Sequence, residues 1–210
     1  MATQIIETYY YPNKIGRIIF RSMEEILGRN GLTAVLNLSE LHHYVNNPPP
    51  DDMDLNFRFE TLSRMQQAME NLYGVRGGLG LALRTGRACM KYGLPEFGGL
   101  MGIRDLSFQL LPLQMKLKVG AEAFAWTLSE LTDQVVSYSE EADRVMWIIE
   151  RCPICWQRTT DYVSCHLAVG FLQEALYWMS GGSYFNIEEV NCIARGDQTC
   201  TIAIDKAPFG

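Results

Sequence analysis

Six cysteines, five of them at or beyond position 152, are the residues of this 210-residue chain whose type and spacing could do chemistry. The densest grouping is Glu189-x-x-Cys192-x7-Cys200, with Cys165 on the preceding segment. Thiolates and a carboxylate can hold a tetrahedral zinc ion, and four protein ligands with no open position would make that ion structural. The plainer reading is that free cysteines are buried core residues. It is preferred for any one of these positions alone, and the metal reading for the four together.

The geometry of a strand tests the metal reading, because side chains alternate between faces. A two-residue turn at Gly196-Asp197 pairs Arg195 with Gln198 and puts Cys192 and Cys200 on opposite faces. A three-residue loop, Gly196-Asp197-Gln198, pairs Arg195 with Thr199 and brings the two cysteines diagonally together on one face. Glu189 and Cys192, three apart, also require a bulge or an irregular start between them. Cys165 heads an apolar helical stripe that faces the sheet, where a fourth ligand should stand.

Cys152-Pro-Ile-Cys155 is a second candidate. A C-x-x-C pair can be half a zinc site or a redox dithiol, and the redox reading requires a strand-to-helix setting that a preceding hairpin does not supply. The pair could complete a metal site with Cys165 or His166, or be a proline turn that carries two thiols. His42 and His43 read as a polar helix end, and Cys165-His166 point in different directions on a helix, so they form no nucleophile and base. No catalytic residue is assigned. Gly77-Gly78-Leu79-Gly80 and Gly98-Gly99 do not match G-x-G-x-x-G and read as turn and packing glycines.

The elements that must position these groups divide the chain. Helical periodicity runs from Asn13 to a stop at Gly28 and Asn30-Gly31. It resumes through Leu62, Met65, Met69 and Leu72 to Gly74, and again from Leu79 to Gly93-Leu94-Pro95. Residues 46–54 and the stretch around Gly98, Gly99 and Gly102 are loops. Pro112 opens a long helix with a stripe from Leu113 to Leu131. Two stretches rich in β-branched and aromatic residues, 134–139 and 144–150, form a hairpin. A helix capped by Thr160-Asp161 carries Cys165 and ends at Ser180-Gly181-Gly182, and a second hairpin fills 184–205. The expectation is a single α+β domain over 1–210: a helical part, 1–132, packed on an antiparallel C-terminal lobe, 133–210.

Composition narrows the function. Lysine and arginine total 18 against 24 acidic residues, a formal charge of -6, so no basic stripe is available for nucleic acid or an anionic membrane. No apolar run approaches the ~20 residues of a membrane helix. The N-terminal stretch lacks a basic region and an apolar run, so a cytoplasmic, reduced-thiol setting is expected. Four tryptophans, nine phenylalanines and ten methionines are enough for an apolar cavity, although such stripes serve cores equally well.

The run Ser164-Cys-His-Leu-Ala-Val-Gly170, then Gly181-Gly182, then Ile187 to Ile204 resembles the signature of the 4-vinyl reductase domain family. A looser upstream likeness runs through Asn13-Lys-Ile-Gly16, Tyr73-Gly74 and Arg84-Thr-Gly-Arg87. The resemblance implies an α+β fold shared with nitric-oxide-sensing haem domains and a Golgi-transport subunit. It also implies structural zinc held by Cys165, Glu189, Cys192 and Cys200; His166, Cys152 and Cys155 rank behind these four. A homodimer and a small hydrophobic ligand are implied as well. Pocket residues do not carry over by motif, and Trp126 and Trp147 are put forward on their chemistry alone.

The function expected is a stand-alone, zinc-stabilised sensor or carrier for an aromatic, hydrocarbon-like or tetrapyrrole ligand, read by a downstream protein. The alternative is a 4-vinyl reductase or accessory protein of (bacterio)chlorophyll biosynthesis. The sequence offers that enzyme no nicotinamide or flavin fingerprint.

Overall fold

The computed structural model describes residues 7–209; Met1 to Ile6, part of the stretch read as lacking a leader, lie outside them. The chain opens with a short strand that periodicity did not reveal. This strand, β1 (Tyr10–Pro12), pairs antiparallel with β2 (Leu55–Arg58), setting Tyr11 opposite Phe57. Three or four residues are too few to show an alternation.

Helix α1 (Asn13–Leu38) begins directly after Pro12 and breaks at Gly28, whose φ of 71° is the left-handed conformation that glycine adopts freely. The expected stop is therefore real, but helix resumes after it to Leu38. Helix α2 (Phe59–Phe97) repeats the device at Gly74, φ 72°, and then runs past Gly93 with Pro95 inside it. Residues 46–54 form the expected connection. A short helix, α3 (Leu106–Gln109), precedes α4 (Leu113–Leu131), which starts after Pro112 as read.

The C-terminal lobe is a four-stranded antiparallel sheet in the order β3-β4-β6-β5. Its strands are β3 (Val136–Glu140), β4 (Arg144–Ile149), β5 (Tyr184–Asn191) and β6 (Cys200–Phe209). Trp147 of β4 faces Ile202 of β6, and both are buried. Helix α5 (His166–Ser180) packs between this sheet and α2 and ends at Gly181 in the left-handed conformation.

The start of α5 differs from expectation. Thr160 does not cap it: its amide donates to the Ala194 carbonyl at 2.8 Å and its hydroxyl to the Tyr162 carbonyl at 2.7 Å, and residues 160–164 form an irregular connection with a bend at 161–162. Cys165 takes the N-cap position.

The α2–α5 contact is set by two glycines. A Cβ at Gly86 would stand 2.0 Å from the Leu167 carbonyl oxygen, and one at Gly170 would stand 1.9 Å from that of Leu83. The two backbones touch there, and no larger residue fits at either position without separating the helices.

Candidate metal centre and adjoining apolar cavity

Five cysteines and one glutamate converge where the two hairpins meet the start of α5. The second hairpin is not the three-residue loop that would pair Arg195 with Thr199. Ladder pairing stops at Asn191 opposite Thr201, and a single 3-10 turn (Ile193–Arg195) carries the chain across to Cys200. The amide of Cys192 donates to Asp197 Oδ2 at 2.8 Å, and Arg195 binds the same oxygen at 2.8 Å, which shapes this turn. The amide of Ile193 donates to Cys200 Sγ at 3.3 Å. A register shift between Glu189 and Asn191 supplies the irregularity that the three-residue spacing demanded.

The structure brings together the four ligands read from the sequence. Ligand atoms of Cys165, Glu189, Cys192 and Cys200 all lie within 4.8 Å of one another, and all four residues are buried. Cys165 Sγ is 4.0 Å from Cys192 Sγ and 3.5 Å from Cys200 Sγ. Glu189 accepts the Cys165 amide at 2.7 Å through Oε2, while its buried Oε1 has no hydrogen-bond partner.

The pair ranked behind them joins the cluster. Cys152 Sγ stands 3.4 Å from Cys165 Sγ and Cys155 Sγ stands 3.3 Å from Cys200 Sγ, so Cys152, Cys155, Cys165 and Cys200 make a second four-donor set. Zinc–sulfur bonds of about 2.3 Å in a tetrahedron separate sulfur atoms by about 3.8 Å, close to these spacings. His166 is not in either set. Its ring nitrogen Nδ1 is 4.0 Å from Glu189 Oε2, with burial lowering its basicity.

A cation would suit the electrostatics of the cluster, where Cys152, Cys155 and Cys192 are lowered and the other donors raised. Burial, followed by the charge of Cys192, pushes Glu189 up to about 8. Neighbouring thiols, Cys152 first, raise Cys165 and Cys200. Several thiolates and a carboxylate out of contact with water cannot all ionise without a positive partner.

The loop that carries Cys152 and Cys155 is tied to α2. Arg158 donates to Glu70 Oε2 at 2.5 Å, with the two side chains 5% and 1% exposed. Tyr162 donates to the same oxygen at 2.8 Å, and Gln66 to Glu70 Oε1 at 3.0 Å. Nothing in local sequence marks Glu70 as the anchor of a segment more than eighty residues away. A carboxylate at a buried helical position was the one available signal.

Beside the cluster lies an apolar cleft with about 1000 Å³ of space free of protein atoms, counting the part open to solvent. Its walls come from Ile15, Ile18 and Ile19 of α1, from Leu62, Cys89, Met90, Gly93 and Phe97 of α2, from one face of α4 and from Leu167, Ala168, Phe171 and Leu172 of α5. Trp147 lines it; Trp126 does not, being 56% exposed on α4. Helical periodicity explains the difference: α4 turns Phe124, Thr127, Leu128 and Leu131 into the cleft and Trp126 away from it.

The polar groups of the cleft are few. Tyr11 donates to Gln134 Oε1 at 2.6 Å, and the hydroxyl of Thr127 is buried without a partner. Ile149, Ile154 and Leu167 line the cleft within three residues of cluster cysteines, so the two sites share a wall.

No protein-family model and no curated protein matches the chain. Solved structures do. An Fe(II) unliganded H-NOX protein from K. algicida superposes with a TM-score of 0.61 at 11% identity, covering 95% of this chain and 97% of that one. An H-NOX protein from S. oneidensis in the Fe(II) ligation state gives 0.58 at 11%, covering 92% and 95%. A structure from work on heme distortion in the H-NOX family gives 0.60 at 13%, covering 95% and 97%. At such identities the likeness establishes the α+β fold.

Proposed function

We propose that this chain is a metal-braced binding module for a small apolar ligand, of the 4-vinyl reductase domain kind, acting as a sensor or carrier. The observation that carries the reading is the cleft. Its lining is almost wholly aliphatic and aromatic, with Tyr11, Gln134 and the unpartnered Thr127 hydroxyl as its orienting groups. An aromatic or hydrocarbon-like molecule with at most one or two polar atoms suits such walls.

Haem, the group of the H-NOX structures, does not suit these residues. None of the three histidines lines the cleft, and among its described lining residues there is no lysine or arginine to face carboxylates. Of the remaining donors, Tyr11 is hydrogen-bonded to Gln134, and burial pushes the Cys89 thiol up to about 12, with no cationic side chain among the described lining residues to lower it. The vinyl-reductase alternative gains no residue from the cleft, whose lining supplies neither a buried carboxylate nor a histidine for proton transfer.

The metal brace is zinc, a d10 ion suited to clustered thiolates. Zinc would tie the turn after β5, the first residue of β6 and the N-cap of α5 into one unit, which also fixes the wall shared with the cleft. Dimerisation is assigned to the outer stripe of α4, where Met115, Val119 and, two turns on, Trp126 are exposed, with Glu122 between the last two. Trp126→Glu should then shift the solution mass to the monomer.

The test is calorimetric titration with toluene, naphthalene and phenol, on the native protein and on Ala168→Trp, which fills the cleft from α5. Binding of one of these probes at one site per chain, lost in the filled variant, supports the reading. No heat from any probe, or heat that Ala168→Trp leaves unchanged, overturns it.

A further inference from the structure

The two four-donor sets share Cys165 and Cys200, and neither set alone uses every donor buried there. One ion on Cys165, Glu189, Cys192 and Cys200 leaves Cys152 and Cys155 packed against it, both about 1% exposed. One ion on the all-thiol set leaves Cys192 and the unpartnered Oε1 of Glu189. A buried acceptor without a partner costs free energy in a folded protein, so such atoms ordinarily face a ligand or a water.

Two tetrahedra that share one edge use all six donors. The shared edge would be the Cys165–Cys200 pair, whose sulfur atoms are 3.5 Å apart. Cys152 and Cys155 stand 3.4 Å and 3.3 Å from Cys165 and Cys200 respectively and belong to one four-donor set, while Cys192, 4.0 Å from Cys165, belongs to the other. Each of these spacings is near the sulfur–sulfur edge of a tetrahedral zinc site, about 3.8 Å.

Charge favours the same count. Five thiolates and one carboxylate carry six negative charges; two divalent ions reduce this to two, the residual charge of one zinc on four thiolates. A single ion leaves four. The charge of Arg158 is already matched by Glu70, which it meets through Nη2.

We propose that the C-terminal lobe holds a binuclear zinc-class centre in which the Cys165 and Cys200 thiolates bridge two ions, Cys152 and Cys155 completing one and Cys192 and Glu189 the other. Each thiol gives its proton to solvent as it binds. This rests on the reading that the lobe is metal-braced, and it doubles the ion count that reading needs.

The experiment is titration of reduced, metal-stripped protein with Co2+, following thiolate-to-cobalt charge-transfer absorbance, with native mass spectrometry of the Zn2+-loaded protein in parallel. The expected results are a break at two equivalents and two zinc ions per chain. Cys152→Ser/Cys155→Ser should bind one ion and keep the native far-ultraviolet circular dichroism. If that variant does not fold, Cys192→Ser tests the same point from the other side and should also retain one. Saturation of the native protein at a single ion overturns the binuclear centre and leaves the single-ion brace standing. Two ions persisting in both variants overturn the ligand assignment, and no ion at all overturns the brace as well.

Discussion

The cleft and the cysteine cluster adjoin along Ile149, Ile154 and Leu167, and both are interior, yet they respond oppositely to standing empty. An apolar void loses only the dispersion contacts its missing contents would have made, and folds carry such voids at modest cost. Thiols packed at 3.3–4.0 Å with a carboxylate beside them can ionise together only against a counter-charge, and without it they must stay protonated or disperse. On the metal-braced reading, the fold of the C-terminal lobe depends on what fills the cluster, whereas the walls of the cleft do not require an occupant.

Metal removal should break this comparison most severely. Structural zinc sites carry roughly 10–16 kcal/mol of apparent binding energy, so a strong chelator should unfold β5, β6 and the start of α5, seen as loss of sheet dichroism. Retention of the C-terminal fold after complete stripping would refute the role. Because the ligands must be deprotonated, the ion should be held at neutral pH and released as pH falls, with thiols and Glu189 taking up protons. Apolar probes should lose their site together with the metal; if they keep it, the shared wall is sturdier than its proximity to the cysteines implies.

A smaller effect is expected where the cluster loop meets α2. Arg158→Met leaves the Glu70 carboxylate buried without its cation, and breaking one side of such a pair costs about 3–5 kcal/mol. Urea unfolding should show that loss, and the double change Glu70→Leu/Arg158→Met should recover most of it. The smallest effect belongs to the cleft. Thr127→Val removes a buried hydroxyl that has no partner, so stability should hold or rise by about 1 kcal/mol, read as an unchanged or higher Tm. A fall of several degrees would show that the hydroxyl is bonded in solution.

The legible parts of the molecule were those decided within a short stretch of chain. Pro112 and the Leu113–Leu131 stripe gave α4, the valine- and isoleucine-rich segments gave the β3–β4 hairpin, and Gly181 closed α5 where expected. Glu189, Cys192 and Cys200 could be grouped because a single turn brings them together.

The membership of Cys152 and Cys155 was not decidable locally. It depends on Arg158 reaching Glu70 across the molecule, and neither residue type announces such a pairing. The same holds for Gly28 and Gly74, each of which stops a helix as read while the next helix starts immediately. A glycine accounts for the break in φ, and only packing decides whether another helix begins directly after it. Trp126 and Trp147 are alike as side chains; their opposite placement comes from helix phase and strand register.

The contact of Gly86 with Leu167 and of Gly170 with Leu83 has a mechanical consequence. Where two backbones touch there is no side-chain layer left to compress or re-rotamer, so α2 and α5 behave as a hinge pin and not as opposing jaws. Two of the four helical walls of the cleft are thereby held at fixed separation, with Cys165 at the near end of one of them. Admission of a bulkier guest has to be accommodated by α1 or α4, and α4 is the wall whose far side carries Met115, Val119 and Trp126. If the proposed ligand binds, α4 is therefore the wall on which a change in the contents of the cleft would act.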